Sequence, residues 1–319
     1  MKLFVTGGAG YIGSHCVLRL LQEGHEVVIF DNFNEGSHET VQTLSSLKLP
    51  GQLIDILEGD LLHPEDLQKA FSNHSFDAVF HFAALARVEE SVQHPELYYR
   101  HNVVGTLNLL EAMRQFNIKR IIFSSTAAVY GEPQYTPVDE RHPLNPVSPY
   151  GRSKQIAESI IQDFDRAYGI RSVCLRYFNV VGASSLRLIH AALGISETFS
   201  VFGTDYPTRD GTCVRDYISV EDLIDAHVKA LDFLLQKDCS EIFNLGTERG
   251  CTVREVFAIC EYVLGKKIPI AEKSRRPGDP AYLLASSQKA KDILHWQLQQ
   301  SLEDAFNWAY AWEQKKTKC

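Results

Sequence analysis

An α/β fold, a doubly wound parallel sheet followed by a smaller C-terminal α+β lobe, is expected from three observations. Short apolar runs alternate with longer amphipathic ones through the first half of the chain, the first run opens directly into a glycine-rich turn, and the second run ends on an acid. Strands are expected at Lys2 to Thr6, Glu26 to Asp31, Ile54 to Glu58, Asp77 to Phe82, Arg120 to Ser124 and Arg171 to Arg176. Helices are expected at Tyr11 to Gln22, Glu65 to Phe71, Leu97 to Phe116 and Pro149 to Tyr168, the last with Ser148 as its cap and Pro149 at the first helical position. This is a Rossmann-type arrangement. After Tyr177 the alternation stops, leaving short strands, glycine turns and helices near Glu221 to Leu235, Arg254 to Leu264 and Ser301 to Trp312. The expected division is a nucleotide-binding domain over 1–177 and a substrate lobe over 178–319, with the chain free to cross back between them.

Composition narrows the function classes. The 319 residues are 45% hydrophobic and 23% charged, enough to bury a sizeable core. Net charge is −8 with the two signs interspersed, so no basic block is present to track a phosphate backbone and nucleic acid is not an expected partner. No apolar run approaches the ~18 residues of a membrane span, and the first strand turns into the glycine loop before a signal-peptide core can form. The seven cysteines are scattered with no C-x-x-C pair, which suits a reducing cytoplasm, and no histidine, cysteine or acid spacing suggests a metal site.

Gly7, Gly10 and Gly13 repeat as G-x-x-G-x-x-G, with Tyr11 and Ile12 opening the helix that follows. Glycine there permits a sharp turn and close approach of backbone to a pyrophosphate, while the helix N-terminus offers amides and partial positive charge. Asp31, at the end of the second strand, is placed to accept from both hydroxyls of an adenosine ribose. Asn32, Phe33 and Asn34 follow it without a cation for a 2′-phosphate, so NAD is the expected cofactor. Asp60 and Leu61, after the third strand, either face the adenine or belong to an ordinary loop.

Tyr150 and Lys154 are four apart, on one face of a helix. An ammonium near a phenol favours the phenolate, so the pair suggests a tyrosine base with a lowered pKa.

At this point the residues show a resemblance. The N-terminal glycine loop, Phe82-Ala83-Ala84, Asn102, Ser124-Ser125-Thr126, Tyr150/Lys154 and Arg176-Tyr177-Phe178-Asn179 resemble the extended short-chain dehydrogenase/reductase family. Val129-Tyr130-Gly131, Phe202-Gly203-Thr204-Asp205-Tyr206 and Val214-Arg215-Asp216-Tyr217-Ile218 are similar to its nucleotide-sugar epimerases, and the resemblance runs from Lys2 to about Trp308. It implies interconversion of UDP-glucose and UDP-galactose by oxidation at C4, rotation of the keto sugar and re-reduction. Tyr150 would be the base, Thr126 would help carry the proton, and Lys154 would hold the nicotinamide ribose. Phe82, Ala83, Ala84, Asn102, Ser124 and Tyr177 would line the cofactor. The UDP anchor would be Asn179, Phe199, Phe202, Arg215, Tyr217, Arg276 and Asp279, although Arg276 also reads as half of a surface arginine pair and the two phenylalanines as strand core. A homodimer through the helices containing Leu97 to Phe116 and Pro149 to Tyr168 is implied as well.

Three departures bear on substrate. Between Gly182-Ala183 and Ala191 only Ser184 to His190 stand where the family has a longer segment over the sugar; Arg87 stands near a position where some relatives have lysine; and Leu283 falls at the residue taken to gate N-acetylated sugars. The alternatives are an epimerase of UDP-N-acetyl sugars or UDP-uronic acids, and a non-catalytic NAD-binding protein. A 4,6-dehydratase would need an acid pair after Thr126, where Ala127 and Ala128 stand.

Overall fold

The computed structural model describes residues 1–47, 54–182, 186–195, 198–276 and 279–316. Two compact units are present. One comprises Met1–Gly131, Leu144–Arg176 and His227–Phe243; the other comprises Glu132–Pro143, Tyr177–Ala226 and Asn244–Cys319.

The first unit starts β1 (Lys2–Thr6), α1 (Tyr11–Gln22), β2 (Glu26–Asp31), α2 (His38–Leu47), β3 (Ile54–Glu58), α3 (Pro64–Asn73) and β4 (Ala78–His81). It continues with α4 (Val88–Gln93), α5 (Pro95–Tyr98), a π-helical turn (Tyr99–Val104), α6 (Gly105–Gln115), β5 (Arg120–Thr126), α7 (Pro149–Tyr168) and β6 (Arg171–Tyr177). The remaining elements are β7 (Asn179–Val180), α8 (Leu186–Leu193), β8 (Phe199–Phe202), β9 (Val214–Ile218), α9 (Val220–Lys237), β10 (Glu241–Leu245), β11 (Gly250–Thr252), α10 (Val253–Leu264), β12 (Ile270–Lys273), β13 (Tyr282–Leu283), α11 (Gln288–Leu294) and α12 (Leu302–Lys316).

Seven strands form one sheet in the order β3-β2-β1-β4-β5-β6-β10. The pairings of β1 with β2 and β4, of β2 with β3 and of β4 with β5 are all parallel. Strand order reverses between β1 and β4, and the ends of strands at such a switch point are where an α/β sheet accepts ligands. β1 and β2 are buried almost throughout, as a sheet covered on both faces requires. Phe4, Phe30, Phe71 and Phe76 centre its core, with Phe4 and Phe71 meeting edge to face at 4.8 Å.

The helix expected over Leu97 to Phe116 is corrected by the structure: it is α5, a π turn and α6 in succession. Inside that wider turn, Asn102 aims its amide at the backbone of Leu85 instead of continuing the regular ladder. α7 starts as its cap demands, with the Gly151 amide donating to Ser148 Oγ at 3.1 Å, and stops at Gly169 in the left-handed conformation.

In the second unit β9 pairs with β11 antiparallel and with β13 and β7 in parallel, while β8 pairs with β12. Leu188, Ile189, Val256, Cys260 and Phe306 form a core among α8, α10 and α12. The three residues before α8, Ala183, Ser184 and Ser185, lie outside the described residues, so the shortened segment is described only from Leu186 onward.

Gly13 is required by space. A Cβ there would stand 2.1 Å from the Gly7 carbonyl oxygen, where helix meets strand. Gly13→Ala is therefore expected to cost about 1–3 kcal/mol of overpacking and to weaken nucleotide retention, read by urea denaturation and by bound-nucleotide content. Gly24, with open space around its Cβ position and φ of +84°, is the comparison: alanine there should cost only its left-handed strain, about 1–2 kcal/mol, with nucleotide retention unchanged.

Candidate active site

The N-terminus of α1 is built to receive an anion. Its cap, Gly10, is extended and makes no side-chain cap bond, and the positive end of the helix dipole there suits a ligand anion. Gly7 sits at φ +70°, and a Cβ there would lie 2.6 Å from the amide nitrogen of Ala83. The glycine turn is thus pressed against Phe82-Ala83-Ala84 at the end of β4. Asp31 accepts from the amides of Ala9 and Phe33, each at 2.9 Å. Burial pushes its carboxyl pKa up while those amides pull it down, and a carboxylate with two amides bound retains lone pairs for ribose hydroxyls. The cradle that added methyls would fill, the uncapped helix and the partly satisfied acid together fit a dinucleotide.

Asp60 gives one oxygen to the Leu62 amide at 2.9 Å and the other to the Asn32 side chain at 3.0 Å. Burial raises its pKa, but these bonds outweigh that and hold it below the usual carboxylate value. The carbonyl of Leu61 accepts from Asn108. Asp60 and Leu61 therefore shape the loop beside Asn32. Arg87 forms an exposed ion pair with Glu35, four residues after Asp31, at 2.7 Å, so that cation is already matched by an acid.

The proton-handling groups stand at the end of β5 and the start of α7. Thr126 lies beside the Tyr150 phenol and favours its ionised form, and Thr126 Oγ1 accepts from the Ala128 amide at 3.1 Å. Lys154 is buried, with Nζ donating to the Ser124 carbonyl at 2.8 Å and lying 4.7 Å from the centre of the Phe123 ring. Burial pushes the Tyr150 phenol up, with only Thr126 opposing it. Burial also pulls Lys154 down to about 7, against the attraction of Glu158, and its ammonium is directed at a carbonyl, so it does not act on the phenol.

Behind this pair lies a buried ionic lattice that the sequence reading left out. Arg176 forks onto Glu158 at 3.0 and 2.6 Å and donates to Tyr130 Oη at 2.9 Å, while Ser125 donates to Glu158. Glu158 is four residues after Lys154 on the same helix face, and that spacing was the available signal. Asn102, expected to line the cofactor, spends its side chain on both backbone groups of Leu85 and on Ser153. It positions the Leu85 segment. Tyr177 closes β6 and is buried.

In the second unit, buried Arg215 donates to Asp279 and to the Val214 carbonyl. The Arg276 guanidinium lies 3.7 Å from the centre of the Phe202 ring, and Lys273 lies 5.6 Å from the same ring. Arg275 stacks on Tyr206 and pairs with Asp205. Asn179 and Tyr217 are register partners on β7 and β9, and Leu283 is the register partner of Arg215. Phe202 thus belongs to the cationic cluster, whereas Phe199 packs against the α8/α10/α12 core. Forked donors beside aromatic faces are the equipment for a diphosphate and a planar base. Among the described residues no group of histidine, cysteine and acid side chains is arranged to hold a metal ion, and no helix is long and apolar enough to cross a membrane.

A family model described as GDP-mannose 4,6 dehydratase matches residues 4–307. The chain is 42% identical to the UDP-glucose 4-epimerase of Halalkalibacterium halodurans over 330 aligned residues, covering 97% of this chain and 95% of that one. Among solved structures it is similar to the UDP-glucose 4-epimerase of Bifidobacterium longum in complex with NAD+ and UDP, with a TM-score of 0.94, 36% identity and 99% of each chain covered. It is also similar to the UDP-Glc/GlcNAc 4-epimerase of Campylobacter jejuni, with a TM-score of 0.88, 37% identity, and 98% and 99% covered.

The folded-state pKa of Lys154 lies below its unfolded value of 10.5, so its burial costs stability in full below pH 7, and the cost fades as pH climbs through 7 toward 10.5. Lys154→Met should therefore stabilise the nucleotide-free protein, by a few kcal/mol on the order of what such a shift carries, most at pH 6 and progressively less toward pH 10. Urea midpoints across that range would show it; a gain that grows with pH would contradict the sign.

Proposed function

Because the chain belongs to the GDP-mannose 4,6 dehydratase family, and within it to the UDP-glucose 4-epimerases of the extended short-chain dehydrogenase/reductases, we propose that it interconverts UDP-glucose and UDP-galactose with NAD retained through the cycle. The observation that carries this is the Tyr150 phenol beside Thr126, with Lys154 one turn along the same helix and its ammonium on the Ser124 carbonyl. NAD, when bound, supplies a reversible hydride acceptor for the sugar C4.

The chain's own residues divide the remaining work. Gly7, Gly10, Tyr11, Ile12 and Gly13 would hold the pyrophosphate of the cofactor and Asp31 its adenosine ribose. The acid beside Arg87, Glu35, together with the lack of a cation at residues 32–34, favours NAD over its 2′-phosphorylated form. Lys154 would reach the nicotinamide ribose, and Tyr150 takes the 4-hydroxyl proton at its Oη and later returns it, with Thr126 adjoining. Arg215 and Arg276 are assigned to the diphosphate and Phe202 to the uracil, with Asn179, Tyr217 and Asp279 around them. Firm anchoring of UDP is what permits the keto sugar to turn over without being lost. Dehydration is disfavoured, since it needs further acid and base groups and Ala127 and Ala128 follow Thr126.

A second reading is epimerisation of UDP-N-acetylhexosamines: the half-buried Leu283 beside Arg215 is of intermediate size and selects neither sugar by itself. The proposal includes a cytoplasmic setting, in keeping with six free cysteines among the described residues. It also includes a homodimer through the helices containing Leu97 to Phe116 and Pro149 to Tyr168, supported by exposed Leu97 and Val104; light scattering should give twice the chain mass.

Purified protein given UDP-galactose should form UDP-glucose without added NADH, and UDP-N-acetylglucosamine as a parallel substrate sorts the two readings. No conversion by protein holding NAD would falsify the epimerase reading. Tyr150→Phe should leave NAD bound and lower turnover by about 10²–10⁴; turnover near that of the unaltered protein would remove Tyr150 from the reaction.

A further inference from the structure

His81 closes β4 and is fully buried, with each ring nitrogen bonded to a threonine. Nδ1 meets Thr6 Oγ1 at 2.7 Å, and Nε2 meets Thr106 Oγ1 at 2.9 Å. The Thr106 hydroxyl has one hydrogen, and it goes to the Asn102 carbonyl at 2.7 Å. Thr106 must therefore accept from His81, which places the imidazole hydrogen on Nε2 and leaves Nδ1 to accept from Thr6. Burial, with the nearby Lys154 ammonium adding to it, pulls the His81 pKa down to about 3, so the ring is neutral and has this single sense.

The chain does not end there. The Asn102 side-chain amide, fixed by accepting from the Leu85 amide at 2.9 Å, donates to Ser153 Oγ at 3.0 Å, and Ser153 donates to the Tyr150 carbonyl at 2.8 Å. Thr6 immediately precedes Gly7, and its hydroxyl also accepts from the Ala83 amide at 3.3 Å. Six residues are thus joined in one direction, Thr6 to His81 to Thr106 to Asn102 to Ser153 to Tyr150. We propose that this chain is a positioning device that ties the glycine turn to the first turn of α7, with His81 as the residue whose neutral, Nε2-protonated ring gives it its direction.

The π turn is part of the same device. Asn102 and Thr106 both lie where the helix is widened or has just been narrowed again, and the Thr106 hydroxyl satisfies the Asn102 carbonyl at that place. A position error of about 1 Å in a reacting group is enough to lower turnover by about 10²-fold, so slack anywhere along the chain should appear in kcat and not in UDP-sugar binding.

The turnover arm of the test rests on the epimerase reading; the spectroscopic arm does not. In holoenzyme labelled with ¹⁵N-histidine, long-range ¹H–¹⁵N correlation should show the His81 ring, identified by its loss in His81→Gln, as neutral and protonated at Nε2 from pH 6 to 8. Protonation at Nδ1, or titration within that range, overturns the proposal whether or not the protein turns over any sugar. Thr106→Val and Ser153→Ala should each lower kcat about tenfold with KM for UDP-galactose within about twofold and NAD content unchanged, Thr106→Ser should restore the rate, and the double variant should be no worse than the poorer single one. Single variants within twofold of the unaltered kcat, or losses that multiply, overturn it. Absence of turnover in the unaltered holoenzyme counts against the epimerase reading alone, and the ring spectrum then decides the chain.

Discussion

The interaction on which the first unit depends is the buried ion pair of Glu158 and Arg176, whose side chains are 2% and 3% exposed. Two charges held out of water stabilise little beyond their own desolvation, but removing one partner leaves the other uncompensated at a cost of about 3–5 kcal/mol. The fork is therefore an all-or-none element. Through it α7 is fixed to β6, and through Ser125 and Tyr130 to the end of β5 and the turn beyond. Thr126 ends β5, and Tyr150 and Lys154 stand in the first turns of α7. Glu158 also acts on Lys154, raising a pKa that burial lowers, so the pair that braces the helix sets how much charge the neighbouring lysine can carry.

A comparable division of labour runs along β9. Successive strand residues face opposite ways, and in Val214-Arg215-Asp216-Tyr217 this separates ligand chemistry from architecture. Arg215 turns to Asp279. Asp216, fully buried, collects donors from the amides of Thr247, Glu248 and Ala285 and from the Thr247 hydroxyl. That carboxylate knots the loops flanking β11 and β13, and so fixes the strand from which Arg215 projects. An anion approaching Arg215 has to compete with Asp279, and this competition favours a ligand carrying more than one negative charge.

Legibility in the sequence followed locality. β1, β2, β3, α1 and α7 have the bounds that periodicity and caps suggested: β1 and β2 are buried on two faces, and the Ser-Pro start of α7 is written in consecutive residues. The π turn was invisible. Its cause is the bond from Asn102 to Leu85, seventeen residues away, and no local propensity records it. α2 and α4 were not anticipated either, since their polar sequences bury little beyond Thr40, Val41, Leu44 and Ser91. At the site, spacing located Tyr150 and Lys154 but did not show the upward push that burial gives the phenol. Spacing reports which residues share a face; desolvation, which dominates both pKa shifts, depends on what the rest of the fold packs around them.

That upward push has a mechanistic use. A tyrosine whose pKa burial has raised is a poor base, and Lys154, itself drawn toward neutrality, does not remedy it. A positive charge beside Tyr150 in the same low-dielectric surroundings would favour loss of its proton strongly. Under the proposed reading the oxidised nicotinamide carries that charge and the reduced one does not. Tyr150 would then be ionised and ready to take the sugar hydroxyl proton, would carry it while the charge is absent, and would release it to the keto oxygen as the charge returns. Burial, which spoils the tyrosine as a free-standing base, is what makes its acidity follow the two halves of an epimerisation.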